Sequence, residues 1–110
     1  MDYKYVKTQE NGDATCNYDI AGTYPVKFVD FFNWVLKNIN ATRIEFSATN
    51  ECYGNWFGNR IEVSKNTDTG ECYFVRLEPI GIYEKLANKN VVECWANGGW
   101  GVMTYYCTFE

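Results

Sequence analysis

From Arg43 to Ala48 apolar and polar residues alternate without a break, Ile44, Phe46 and Ala48 falling to one side and Arg43, Glu45 and Ser47 to the other. A period of two marks a β-strand with one face on a core. In YKYVKTQENGDATCNYDI two similar runs flank Asn11-Gly12, the strongest short-range signal for a type I′ hairpin. With Glu10 opposite Asp13, Tyr5 pairs with Tyr18, Tyr3 with Ile20 and Lys7 with Cys16, which gives one mostly apolar face. Lys4, Thr15, Asn17 and Asp19, with Val6 as the exception, form the other. Further on, RIEVSK and ECYFVRLE flank the turn-forming NTDTG, which pairs Lys65 with Glu71 and Val63 with Tyr73. The expected core face is then Ile61, Val63, Tyr73, Val75 and Leu77, and its reverse is Glu62, Ser64, Cys72, Phe74 and Arg76. Before this pair lies TNECYGNWFGN, of loop composition yet carrying Tyr53, Trp56 and Phe57.

From Pro25 to about Asn40 the period lengthens. Lys27, Asp30, Asn33, Lys37 and Asn40 recur every three or four residues and form one narrow polar stripe on a helix. Phe28, Val29, Phe32, Val35, Leu36 and Ile39 face protein, with Phe31 and Trp34 on the flanks. Pro25 suits a first turn and Thr23 a cap just upstream. An apolar arc this wide predicts a helix laid across a sheet. After Pro79, IGIYEKLANKN predicts a second helix of two turns.

The chain closes on VVECWA and WGVMTYYCTF, two strands joined by glycines that supply the positive φ of a tight turn. Asn97-Gly98, Gly98-Gly99 or a four-residue loop give the same faces, because these options differ by an even step or not at all. Val92, Cys94, Ala96, Met103, Tyr105, Cys107 and Phe109 make the core side; Val91, Glu93, Trp95, Asn97, Trp100, Val102, Thr104 and Tyr106 make the other. Trp95, Trp100 and Tyr106 are thus expected to be exposed together, helped by Tyr53, Trp56 and Phe57. Contiguous exposed apolar area tends to mark recognition. Cross-strand aromatic pairing, or cover from the Tyr53–Phe57 loop, produces the same pattern with no ligand.

Composition changes the picture in three places. Aromatic residues are 18% of the chain, an unusual share for a domain of 110 residues, which is one domain by length. The net charge is −4 and like charges never run together, so a phosphate-tracking basic face, and with it nucleic-acid binding, is not expected. The N-terminal MDYKYVKTQENG lacks the apolar run of an export signal and no stretch approaches a membrane span, so the expectation is a cytosolic protein with no membrane partner. The five cysteines are an odd number with no C-x-x-C pair, and are expected to be buried reduced thiols. A disulfide framework is the alternative and belongs with export.

Candidate chemistry is thin. No histidine occurs, which removes the commonest general base and metal ligand, and no phosphate-cradle or nucleophile-elbow motif is present. Glu45, Glu62 and Glu93 fall on non-core faces, where a carboxylate pair has its plain explanation in solvation. Neither an enzyme, a metal nor a cofactor is expected.

The C-terminal EKLANKNVVECWANGGWGVMTYYCTF resembles the end of small uncharacterised bacterial proteins of gut Firmicutes and their mobile elements, which close on ANGGW-x-x-M-x-YY after a short helix. The Pro25 helix is similar to theirs, while Thr104 stands where that family has an acidic residue. The resemblance implies no known activity.

The sequence therefore predicts an α+β fold, an antiparallel sheet of about five or six strands with one main helix packed across one face and a short second helix. The expected function is a protein-interaction module of inhibitor or adaptor type, binding another protein through Trp95, Trp100, Tyr106, Tyr53, Trp56, Phe57 and Asn97. The alternative is a sugar or base binder on the same aromatics, with Asn97 and Asn55 donating hydrogen bonds.

Overall fold

The computed structural model describes residues 2–48 and 59–110. The elements in chain order are β1 (Lys4–Glu10), β2 (Cys16–Ala21), β3 (Val26–Lys27), α1 (Phe28–Asn38), β4 (Arg43–Ala48), β5 (Arg60–Lys65), β6 (Cys72–Glu78), α2 (Ile82–Leu86), β7 (Asn90–Gly99) and β8 (Val102–Phe109). They form an α+β fold with one 8-stranded sheet in the order β1-β2-β7-β8-β4-β5-β6, with β3 paired to β7 off that path. This is more than the five or six strands expected, and the sheet is mixed: β4 and β8 run parallel, and the other pairs are antiparallel. A parallel pair needs no tight turn between its strands. The β4–β8 pairing accordingly leaves no local trace in the sequence, and β3 is too short to show a period.

The main helix begins at Phe28 rather than Pro25. Val26 and Lys27 pair with Val91 and Asn90 instead, and the Tyr24–Pro25 peptide is cis. No side chain caps the helix; the amides of Phe28 and Val29 donate to the carbonyls of Lys89 and Ala87, both at 2.9 Å. Thr23 is therefore not the cap, because the chain entering β7 meets those orphan donors first. At the other end the Lys65 ammonium donates to the carbonyls of Leu36 and Ile39, at 2.6 and 2.8 Å, where a cation suits the end of the helix.

Rings dominate the packing of α1. Phe28 meets Phe46 edge-on at 5.5 Å, Phe31 meets Tyr105 at 6.0 Å, and Phe32 meets Tyr83 at 5.0 Å and Phe74 at 6.0 Å. Phe28, Phe31 and Val35 are wholly buried, so Phe31 is central rather than flanking. Each such burial contributes about 1.5–3 kcal/mol. Lys27, Asp30, Asn33, Lys37 and Asn40 are all exposed.

Three hairpins differ in register from the expected ones. In β1–β2 the loop runs from Asn11 to Thr15, closed by the Asn11 amide on the Thr15 carbonyl at 2.8 Å, with a bulge between Lys7 and Gln9. Tyr5 therefore pairs with Ile20 and Lys7 with Tyr18, an even shift that keeps the faces. In β5–β6 the loop takes in one residue more, Lys65 pairing with Cys72 and Val63 with Phe74. Phe74 accordingly stacks on Phe32, while Tyr73 and Val75, expected in the core, are 64% and 53% exposed. A bulge between Glu62 and Val63 returns Leu77 to the core side. In β7–β8 a bulge near Val92 places Val91 in the core instead, wholly buried.

Candidate functional site

Register fixes what the face opposite the buried rings carries. Asn17, Asn97, Thr104, Glu45, Glu62 and Arg76 are successive cross-strand partners from β2 to β6. Asp19, Trp95, Tyr106, Ser47, Arg60 and Glu78 form the next row. Polar and charged groups thus cross the sheet in two lines, the second of which includes one aromatic pair. Trp95 lies on Tyr106 with ring centroids 4.2 Å apart and planes 25° from parallel.

The carboxylates of this face are not simply solvated. Glu62 is only 6% exposed, and the Arg43 guanidinium lies 3.3 Å from its Oε2. Glu45, its register partner, has its carboxyl raised from its ordinary pKa by burial first, then by the neighbouring Glu62 carboxyl and its charge; Arg60 and the Thr104 hydroxyl, 3.4 Å from Glu45 Oε2, pull the other way. The Tyr106 hydroxyl is also raised, by burial and then by the Glu45 charge.

At the end of the β7–β8 hairpin the geometry is of another kind. Gly99 pairs with Val102, so the two turn residues are Trp100 and Gly101, neither Asn97-Gly98 nor Gly98-Gly99. Trp100 has φ of 59° and Gly101 of 77°, the positive pair a type I′ turn demands. Glycine and asparagine adopt that conformation readily; a bulky side chain there is an outlier costing about 1–3 kcal/mol. Gly99 explains the displaced turn, since a Cβ on it would stand 3.0 Å from the Ala14 carbonyl oxygen and 3.1 Å from the Thr15 Cα. The glycine serves a close approach, and the turn falls two residues beyond Gly98-Gly99.

Trp100 is 81% exposed, yet it is tied down. Its indole N–H donates to the Asp13 carbonyl at 3.0 Å. The Asp13 carboxylate in turn accepts from the Thr15 hydroxyl at 2.7 Å and the Thr15 amide at 3.2 Å, bonds that lower its pKa. On the far side the Gly101 carbonyl accepts from the amides of Thr42 and Arg43, at 3.0 and 3.3 Å. The turn is therefore braced between the β1–β2 loop and the entry to β4.

The expected aromatic cluster is divided. Trp95 and Tyr106 stand together at mid-face and half-buried, while Trp100 projects from the tip, apart from them. Asn97 spends its amide on Asn17 Oδ1 at 2.8 Å and Thr15 Oγ1 at 3.3 Å. Tyr53, Trp56, Phe57, Asn55 and Cys52 lie outside the described residues. Asp13, Thr42 and the Glu45–Glu62 pair are what sequence reasoning missed. Alternation had already put both glutamates on non-core faces, but the residues between their strands give no register.

Two hollows are present, one against α1 and one beside the β7–β8 tip. One of about 130 Å³ is lined by Phe32, Leu36, Val63, Cys72, Tyr73 and Phe74, and one of about 290 Å³ opens beside Cys16, Tyr18, Asn40 and Gly99. Among the described residues no group of three or more histidine, cysteine or acidic side chains is placed to hold a metal ion, and no helix is long and apolar enough to cross a membrane. No family model, no curated protein and no solved structure matches the chain.

Proposed function

We propose that this chain is a cytosolic protein-interaction module of inhibitor or adaptor type whose contact centres on Trp100, with the Trp95–Tyr106 face beside it. The observation that carries the proposal is the state of Trp100: 81% exposed, in a backbone conformation unfavourable to it, and braced on both sides. Its exposure and strain both work against folding, while a rigid exposed indole is the type of residue that anchors interfaces. A partner captured from lysate by the wild-type chain and lost with folded Trp100→Ala supports the proposal. Equal capture by both removes Trp100 from the contact.

A second reading has its own support, in the Glu45–Glu62 pair beside the Trp95–Tyr106 stack. Two neighbouring carboxyl groups and an aromatic platform suit a small hydroxyl-rich ligand such as a sugar. Here Glu45→Gln and Trp95→Ala each weaken binding by tenfold or more (about 1.4 kcal/mol) in a fluorescence titration with monosaccharides. Unchanged affinity in both variants, or no binding by the wild type, discards it.

A further inference from the structure

Cys94 and Cys107 are direct partners on β7 and β8, their Sγ atoms 3.8 Å apart, and they are 4% and 0% exposed on the core side. The adjoining partners Trp95 and Tyr106 stack on the opposite face, so the two sulfurs lie immediately behind the candidate surface. Cys16 and Cys72, by contrast, are half-buried on β2 and β6, and the sheet order sets four strands between them.

A disulfide asks for Cα atoms roughly 4.4–6.8 Å apart and side chains directed at one another. Directly opposed residues of an antiparallel pair have Cα separations of about 4.5–5.5 Å, inside that range with the strands as they lie. Side-chain rotation alone has to bring the sulfurs from 3.8 Å to bonding distance, about 2.05 Å.

We propose that Cys94 and Cys107 form a modification site, a dithiol that a small linear disulfide such as glutathione disulfide converts into a cross-strand disulfide. One protein thiolate attacks a sulfur of the small disulfide, which breaks that S–S bond, forms a mixed disulfide and releases one small thiol. The second protein thiolate attacks the first protein sulfur and releases the other small thiol. Two electrons pass from the protein to the reagent, and the two thiol protons leave on its two products.

Burial above all, then the neighbouring Cys107, holds the Cys94 thiol well above its ordinary pKa. The first attack therefore belongs to a chain whose hairpin is open, and closing the sheet protects whichever state has formed. The covalent loop encloses the whole tip, Trp100 included, so oxidation ties down the segment that presents it.

The test equilibrates the full chain with graded ratios of glutathione to glutathione disulfide, in native buffer and in concentrated urea. Each mixture is reached from both the reduced and the oxidised unfolded chain, then acid-quenched and peptide-mapped. The proposal predicts a Cys94–Cys107 linked peptide as the main oxidised product in native buffer. It also predicts half-oxidation under conditions about tenfold or more reducing than in urea, because the fold holds the sulfurs together. Cys94→Ala removes that peptide. Equal midpoints in the two solvents, glutathione adducts alone, or native pairing through Cys16, Cys52 or Cys72 would overturn it, and the wild-type comparison decides even if the variant fails to fold.

Discussion

Two hairpin turns of this sheet meet the same geometric demand in opposite ways. Between β5 and β6 the residue with positive φ is Gly70, at 80°, and Asn66 Oδ1 accepts the amides of Asp68 and Thr69 at 2.9 and 3.3 Å. Each position there carries a residue suited to it, and nothing large is exposed in the loop. Between β7 and β8 the corresponding conformation falls on Trp100, with its ring in solvent. The first turn is built for stability alone. The second tolerates a cost that stability does not explain, and the contrast is what singles out Trp100.

The contrast can be sharpened first at Gly70. A Cβ there meets nothing within 4 Å, so Gly70→Ala isolates the conformational cost, expected at about 1–2 kcal/mol in urea denaturation. A neutral Gly70→Ala would mean that positive φ is cheap in this sheet and would weaken the case built on Trp100. Asn66→Ala, which removes both amide bonds, is expected to cost about 1 kcal/mol by the same measurement.

The smallest effect belongs to the brace around Trp100. Asp13 has its folded pKa lowered by the Thr15 bonds, so its contribution is present above the usual value of 3.8 and is lost as pH falls through the lower folded value. The Trp100 indole N–H resonance is accordingly expected to shift and broaden in that acid window, before global unfolding. A resonance that changes only with unfolding would show that the Asp13 side chain does not steady the tip.

How far these turns could be read in advance follows from the same residues. Asn66 to Gly70 was legible as a turn because its chemistry is local. Its register slipped by one because the Asn66 amide bonds to the Glu71 carbonyl, at 2.9 Å, and that turned Phe74 rather than Tyr73 toward Phe32. The β7–β8 turn was misplaced for a tertiary reason: Asn97, Gly98 and Gly99 are strong turn formers, but Gly99 is held in the strand by its closeness to Ala14 and Thr15. The faces of β1, β2 and β8 survived because the errors there were even, while on β6 the slip of one turned Tyr73 and Val75 outward until the bulge returned Leu77 to the core side. The parallel β4–β8 contact and the Glu45–Glu62 pairing were illegible, because the sequence pattern of each strand sets its faces but not which residue of the partner strand it meets.

The central claim is that Trp100 is kept for contact and against the interest of the fold. It is tested most directly by Trp100→Asn, which restores the Asn-Gly sequence a type I′ turn prefers. The account predicts a thermal midpoint equal to or higher than that of the wild type, together with loss of the partner that the wild type captures. A variant that is markedly less stable, or one that is folded and still captures the same partner, would contradict it.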